Sequence, residues 1–418
     1  MKTRLTLALI LLMFAGRLTA QRNCFSYTYL QQQLSKDPSL RIKIEEAESF
    51  IRRQVPTANA GVSRTGQASV IKIPVVVHIL YHLSYENVTD EEVNSQIEAL
   101  NLCYRRMNAD SVNTPAVFKP VAADCEIEFK LATSDPRKRN TNGIVRKYTP
   151  ITKWETDDKV KLSSEMGDDG WDPKSYLNIW VCNLERVLGY SSVPGGPVNN
   201  DGVVIGYSVF GSINTRSAFD MGKTGVHEVG HWLGLKHLWG DAYCGDDGVE
   251  DTPKQSGYNS DCPAGTRISC GNSPGGDMYM NYMDFTNDAC MNLFTQGQKA
   301  RMRALFAPGG PRNSMLSSSG LNAPLIYETP VPDVPPTWLH PQLYPNPATN
   351  QLTLDIACDV RWIGNIITIF NLQGQTILQV PISAKYQKIS IGQLRPGVYF
   401  LAANRQDGLS IKQKFMKL

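Results

Sequence analysis

The segment His227-Glu228-Val229-Gly230-His231-Trp232-Leu233-Gly234-Leu235-Lys236-His237 concentrates the side chains best able to do chemistry. His227 and His231 stand four apart, so on a helix their imidazoles share one face and can grip a single cation. Gly234 allows the chain to leave that helix through a left-handed turn, and His237 can then return as a third ligand. Three neutral imidazoles with one open position form a catalytic zinc arrangement, which brings the pKa of a bound water to about 7. Glu228 lies beside them and can serve that water as general base. The chain has 6 histidines, and three of them fall at these offsets with Glu and Gly in place, which scattered surface histidines explain poorly. His78 and His82, in or just after a β-branched run, read as ordinary strand or core residues.

The 9 cysteines require a compartment before they can be read. Lys2 and Arg4 precede an apolar run, Leu5–Ala15, that is too short to span a membrane as a helix. Leu18-Thr19-Ala20 then offers a small residue for cleavage, so residues 1–20 read as an export signal. Export places the cysteines in an oxidising environment, and their odd number leaves at least one thiol unpaired. Cys24 is the best candidate, because a thiolate is a strong zinc ligand and would displace the catalytic water. It lies too far past the cut to be a lipoprotein anchor. Cys244, Cys262, Cys270 and Cys290 cluster after the histidines and allow three pairings. A four-thiolate zinc is the rival, disfavoured by the compartment and by the lack of close Cys-x-x-Cys pairs. Asp246, Asp247, Glu250, Asp251 and Thr252 supply hard oxygen atoms on a Gly-containing loop, which suits calcium although the spacing is not that of an EF-hand. Cys103 and Cys125 could pair, Cys182 falls in a strand as a buried thiol, and the state of Cys358 is left open.

The wider sequence around these residues resembles the metzincin metalloproteases, and within them the pappalysin family of ulilysin- and cytophagalysin-like enzymes. The resemblance runs over roughly residues 70–320. It rests on the long histidine motif, on Gly222-Lys223-Thr224, on Asp251-Thr252-Pro253, on Asn281-Tyr282-Met283-Asp284-Phe285 and on Asp288-Ala289-Cys290-Met291-Asn292. It implies a Met-turn with Met283 as the floor under the zinc histidines. It implies the pairings Cys244–Cys270 and Cys262–Cys290, and a calcium ion held by Asp247 and by the carbonyl of Thr252. It implies that Asp288 lies at the base of the pocket for the residue after the cut, favouring Arg or Lys there. It further implies latency through the pro-region triplet Arg22-Asn23-Cys24, with Cys24 capping zinc until cleavage near Arg52, Arg53 or Arg64. The family usually has Tyr, thought to assist the tetrahedral intermediate, where this chain has Phe285. Leu188-Gly189-Tyr190 is the candidate edge strand for substrate, on the resemblance alone.

The elements that must position these groups are legible as patterns. Residues 21–64 are polar and helical in pattern, with Leu30, Leu34, Leu40 and the segment Ile42–Ile51 at amphipathic spacing, as in a removable pro-region. Ile71, Ile73, Val75, Val77 and Ile79 alternate as a strand. Thr89 with Glu92 forms a capping box for a helix running to about Met107, and further strands fall at Glu126–Ala132 and Tyr176–Leu184. The order of these elements predicts an α/β (α+β) domain with helices on one side of the sheet. Arg137-Lys138-Arg139 reads as a solvated loop.

The 418 residues suffice for two or three domains at roughly 100–200 residues each. With 42% hydrophobic residues and 19% charged ones the chain is globular. The balance of 42 Lys+Arg against 39 Asp+Glu leaves no footprint for nucleic acid or an anionic membrane. The division expected is a signal at 1–20, a pro-segment at 21–64, a catalytic domain at 65–325, a Pro-rich linker at 326–340 and an all-β Ig-like sandwich at 341–418. Tyr344-Pro345-Asn346-Pro347, Ile369–Gln375, Leu394–Tyr399 and the basic end at Lys414 and Lys417 make this last region similar to type IX secretion sorting domains, which implies secretion machinery as a partner. The functional expectation is thus a secreted, latent zinc endopeptidase. A zinc-bearing adhesion or substrate-binding exoprotein is the alternative, and it need not retain the base Glu228.

Overall fold

The computed structural model describes residues 22–60, 69–213, 217–328, 339–406 and 408–418. The expected signal, Arg64 and most of the Pro-rich linker lie outside these residues. Two helices come first, α1 (Ser26–Lys36) and α2 (Leu40–Ala60). A six-stranded sheet follows, built from β1 (Ile71–Tyr81), β2 (Ile127–Leu131), β3 (Ile144–Tyr148), β4 (Leu177–Cys182), β5 (Gly189–Ser191) and β6 (Val203–Gly206). Its order is β2-β1-β4-β6-β5, with β3 also paired to β1. All pairings are parallel except that of β5, which runs antiparallel to β6 and forms the edge.

The alternation read in β1 sorts its two faces. Ile71, Ile73, Val75, Val77 and Ile79 enter the main core with Val93, Ile97, Leu100 and Tyr104 of α3 (Asp90–Tyr104) and with Val226, Val229 and Trp232 of α4 (Lys223–Trp232). The opposite face carries Leu80, Trp180 and Val204, and is closed by Trp154, Val160 and Tyr29 from α1. His78 on that face is a satisfied core histidine, with Nδ1 2.7 Å from Asp168, Nε2 3.0 Å from Asn178 and its ring stacked on Trp180. The capping box of α3 is present, Thr89 Oγ1 accepting from Glu92 N while the Glu92 carboxylate accepts from Thr89 N. The helix ends at Tyr104 rather than Met107, because Arg106 turns to a positive φ of 50° and Met107 N reaches back to Leu102 O.

Two disulfides join Cys244 to Cys270 and Cys262 to Cys290, as the family pattern implies. The pairing of Cys103 with Cys125 that the sequence left open is not made: both are free, buried thiols in the main core, and Cys103 lies against the Tyr282 hydroxyl.

α5 (Gln296–Ala304), capped by Thr295, packs against α2. Beyond it, Arg312 fastens the end of α4 to the segment before β6. Its guanidinium binds both oxygens of Asp201 at 2.8 and 3.0 Å, donates to Trp232 O and lies 3.5 Å over the Trp232 ring. Burial works to raise the Asp201 carboxyl, but the charge and hydrogen bonds of Arg312, with the Ser192 hydroxyl, outweigh it and hold the group below the ordinary range. A depressed carboxylate pKa contributes stability above the unfolded value that is lost as pH falls through the folded one. Asp201→Asn is therefore expected to cost about 3 kcal/mol at neutral pH. In thermal melts the gap from wild type should close below about pH 4. A gap independent of pH would contradict the pairing.

The C-terminal region forms two antiparallel sheets around one core of Leu352, Leu354, Ile367, Ile369, Leu401 and Phe415. The first contains β9 (Ile366–Phe370), β10 (Thr376–Pro381), β12 (Gly397–Asn404) and β13 (Ser410–Lys417). The second contains β7 (Gln342–Tyr344), β8 (Gln351–Asp355) and β11 (Tyr386–Ser390). Among the described residues no helix is long and apolar enough to cross a membrane.

Candidate active site

α4 carries the first two histidines and is buried along its whole length. Its end is built as the motif requires. Gly234 has φ 82°, its amide bonds to His231 O, and Leu235 N returns to Gly230 O, which turns the chain so that His237 faces back. Each Nδ1 is engaged: His227 on Tyr282 O at 2.7 Å, His231 on Leu235 O at 2.9 Å, and His237 on Asp241 Oδ1 at 2.5 Å. With Nδ1 as the donor, every Nε2 presents its lone pair to a common point. His231 Nε2 lies 3.1 Å from both His227 Nε2 and His237 Nε2.

Cys24 Sγ completes the group, 3.5 Å from His231 Nε2, and the four ligand atoms lie within 4.8 Å of one another. Tetrahedral zinc with bonds of about 2.0–2.1 Å to nitrogen and about 2.3 Å to sulfur needs N···N near 3.3 Å and N···S near 3.5 Å. The residues present therefore fit that ion. Burial, and then the mutual repulsion of the imidazoles, holds His227 well below its ordinary value and His231 at about 3. Both are neutral, as ligands must be.

Glu228 is buried with them, and burial pushes its carboxyl up to about 7 against the hydrogen bonds of Ser26 and Cys24. Its Oε2 accepts from Ser26 Oγ at 2.8 Å and faces Cys24 Sγ at 3.5 Å. Gly189 of the edge strand has no room for a side chain, since a Cβ there would stand 2.9 Å from Glu228 Cγ. Gly230 is equally restricted: its Cβ would meet Met283 Sδ at 2.5 Å. That contact puts buried Met283 against the ligand helix. Phe285 stands where the family has Tyr, its ring 4.9 Å from His237 and 5.7 Å from His227.

The segment before α1 lies along β5. Cys24 pairs with Gly189 in parallel, Leu188 N donates to Asn23 O, Phe25 N donates to Gly189 O, and Ser191 N donates to Ser26 Oγ. Arg22 enters a second, buried site. Its guanidinium pairs with Asp288 Oδ1, donates to Thr224 Oγ1 and Thr286 O, and lies 4.9 Å over the Phe219 ring. Asp288 Oδ2 accepts from the amides of Met221 and Lys223 at 2.9 and 3.1 Å, so the carboxylate is aimed by the start of α4. Asp247 and Thr252 are also brought together, with Thr252 Oγ1 2.9–3.0 Å from both carboxylate oxygens. Asp251 instead accepts from Thr295 Oγ1 and Gly297 N at the start of α5.

Residues 161–307 match the family described as pregnancy-associated plasma protein-A, and residues 342–417 match the secretion system C-terminal sorting domain. An extracellular metalloprotease of Pyricularia oryzae is 45% identical over 128 residues, which cover 29% of this chain and only 44% of that protein. One from Sordaria macrospora is 31% identical over 261 residues, 60% of this chain and 79% of its own. The solved structure of a Tannerella forsythia promirolysin mutant is similar at 44% identity and a TM-score of 0.65, covering 71% of this chain and 97% of that one. The chain belongs to the pregnancy-associated plasma protein-A family of metalloproteases. This metalloprotease carries a type IX sorting tail, so it is destined for secretion or the cell surface. Membership of the family implies a catalytic zinc, and the histidine cluster is the place that fits it.

Three contributors escaped the sequence reading. Asp241 orients His237 and sits four residues after it, a spacing that could have pointed to it. Ser26 bridges Glu228 to the edge strand, and Arg22, named in the latency triplet but not matched there to a partner, fills the Asp288 site; both contacts act across more than 160 residues, where spacing carries no signal.

Proposed function

We propose that this metalloprotease is a secreted zinc endopeptidase made as a latent precursor. His227, His231 and His237 hold the ion, Glu228 is the general base, and Cys24 is the fourth ligand before activation. The observation that carries this reading is the convergence of three Nε2 atoms and the Cys24 sulfur beside a buried carboxylate. Bound zinc supplies Lewis-acid polarisation of the scissile carbonyl and acidifies the attacking water. Glu228 Oε2, relieved of Ser26 and Cys24, accepts the water's proton and delivers it to the leaving nitrogen. Gly189 O and Ser191 N, now bonded to Phe25 N and Ser26 Oγ, then pair with the main chain of an extended substrate.

The domain division at 1–20, 21–64, 65–325, 326–340 and 341–418 belongs to the same reading, with the activating cut near Arg52, Arg53 or Arg64. Arg22 on Asp288 supports a preference for Arg or Lys beside the cut, because a buried carboxylate facing a guanidinium discriminates strongly against neutral side chains. In the processed enzyme Asp288→Ala should lower kcat/KM on Arg and Lys peptides by about 30-fold or more. Peptides with Leu at that position should be unaffected. Cleavage profiling that found an unchanged preference would remove Asp288 from specificity.

Asp247 and the Thr252 carbonyl are the proposed calcium ligands. Burial pushes the Asp247 carboxyl up to about 7, an unfavourable position for a carboxylate that a cation relieves. Restoring calcium to chelated, zinc-reloaded enzyme should raise its melting temperature by several degrees, as about 2 kcal/mol of linkage would. No shift would remove the site. The reading as a whole is tested by hydrolysis of an Arg-containing peptide before chelation, after it and after zinc is restored. Activity should be lost and regained, and activity indifferent to chelation would contradict it.

A further inference from the structure

Arg22 is not the only side chain that the pro-segment buries beside the edge strand. Tyr29 of α1 is 3% exposed. Its hydroxyl donates to Asp158 Oδ2 at 2.6 Å, its ring tilts on Tyr190 with centroids 4.9 Å apart, and Lys161 Nζ stands 5.3 Å from the ring centroid. The receiving pocket is built and polar. Asp158 (2% exposed) and Lys161 (1%) form a 2.9 Å ion pair, Asn200 Nδ2 donates to Asp158 Oδ2 at 2.8 Å, and Tyr190 is fully buried. All these groups lie outside the pro-segment, so the pocket remains when α1 leaves, and Asp158 then lacks the donors Tyr29 and Gln33.

The place of this pocket is defined by β5. The Cβ direction of Gly189 points at Glu228, so Tyr190, next along the strand, points to the opposite face of the sheet. An extended substrate added to β5 presents alternate side chains to that face. Along β5 the segment runs parallel, with Asn23 bonded at Leu188, Phe25 at Gly189 and Ser26 at Ser191, so Arg22 in the Asp288 site lies beyond one end of the strand and Tyr29 on Tyr190 lies towards the other.

We propose that the Asp158–Lys161–Tyr190 pocket is a second specificity subsite, which takes a tyrosine side chain of the substrate on the side of the cut away from the Asp288 pocket. This rests on the protease reading above. A phenol supplies the aromatic face that Tyr190 and Lys161 meet and the donor that Asp158 needs. Phenylalanine leaves that buried carboxylate short of a hydrogen bond, which makes tyrosine the better fit by about tenfold or more.

The test uses processed enzyme and peptides with Arg after the cut and Tyr, Phe or Leu at each of the four preceding positions. Tyr should exceed Phe in kcat/KM by about tenfold at one of them. Asp158→Asn should erase that ratio while the Arg-to-Leu ratio after the cut stays as in wild type. Because Asp158→Asn leaves Lys161 without its buried partner and the variant can fail to fold, the Tyr-to-Phe ratio of wild type is decisive by itself. Equal cleavage of Tyr, Phe and Leu peptides at all positions would overturn the subsite while leaving the protease reading intact. No cleavage of any peptide would overturn both.

Discussion

Glu228→Ala in the processed enzyme should lower kcat/KM by about 10²–10⁴-fold, the usual worth of a positioned proton carrier. The loss should appear in kcat, because substrate binds through the main-chain groups of the β5 edge, Gly189 O and Ser191 N, and through Asp288, and the substitution removes none of these. The three histidines keep their Nδ1 partners Tyr282 O, Leu235 O and Asp241, so zinc content should not change. These two readouts separate a lost base from a lost metal. A variant retaining full activity with its zinc would take the base role from Glu228.

Cys24→Ala should release latency in uncut precursor. At present the thiol occupies the position facing the three Nε2 atoms and Glu228. Removing it takes away the sulfur at the cluster and one contact to Glu228, so the segment, now held through Arg22, Ser26 and Tyr29, leaves the edge strand more readily and exposes the site. Activity of intact precursor should rise by about 10²-fold or more over wild-type precursor, equivalent to roughly 3 kcal/mol of blocked access. Arg22→Ala should add to the effect, since the two anchors lie on different partners. The comparison belongs in precursors with Arg52, Arg53 and Arg64 replaced, with intact mass verified after each assay, so that self-processing does not account for the gain. Unchanged latency would leave Cys24 with no part in it.

Local physics made much of this protein legible in its sequence. The histidine offsets demand a helix followed by a glycine turn, and α4 with Gly234 at φ 82° is that device. The Thr89–Glu92 box marked the start of α3, and β-branched alternation marked β1, because both signals are carried within a few residues. The two disulfides followed from resemblance rather than spacing, which by itself left three pairings open. What escaped was settled by packing at a distance. Cys103 and Cys125 share a core without a bond between them, and the end of α3 was displaced by one left-handed residue. The seats of Arg22 and Tyr29 bring residues together over separations of 266 and 129 positions, which no periodicity reports. The short strand β7, three residues long, exists through its pairing with β8 more than through its own pattern.

The central claim is that three imidazoles from one helix-and-turn unit bind one catalytic ion, and metal content measures it most directly. Folded, processed enzyme, dialysed and analysed for its elements, should contain one zinc per chain, and His231→Ala prepared in parallel should contain none while its disulfide-tied fold still melts cooperatively. Wild-type enzyme that cleaves peptides at full rate without stoichiometric metal, or a His231→Ala variant that keeps its zinc, would contradict the account.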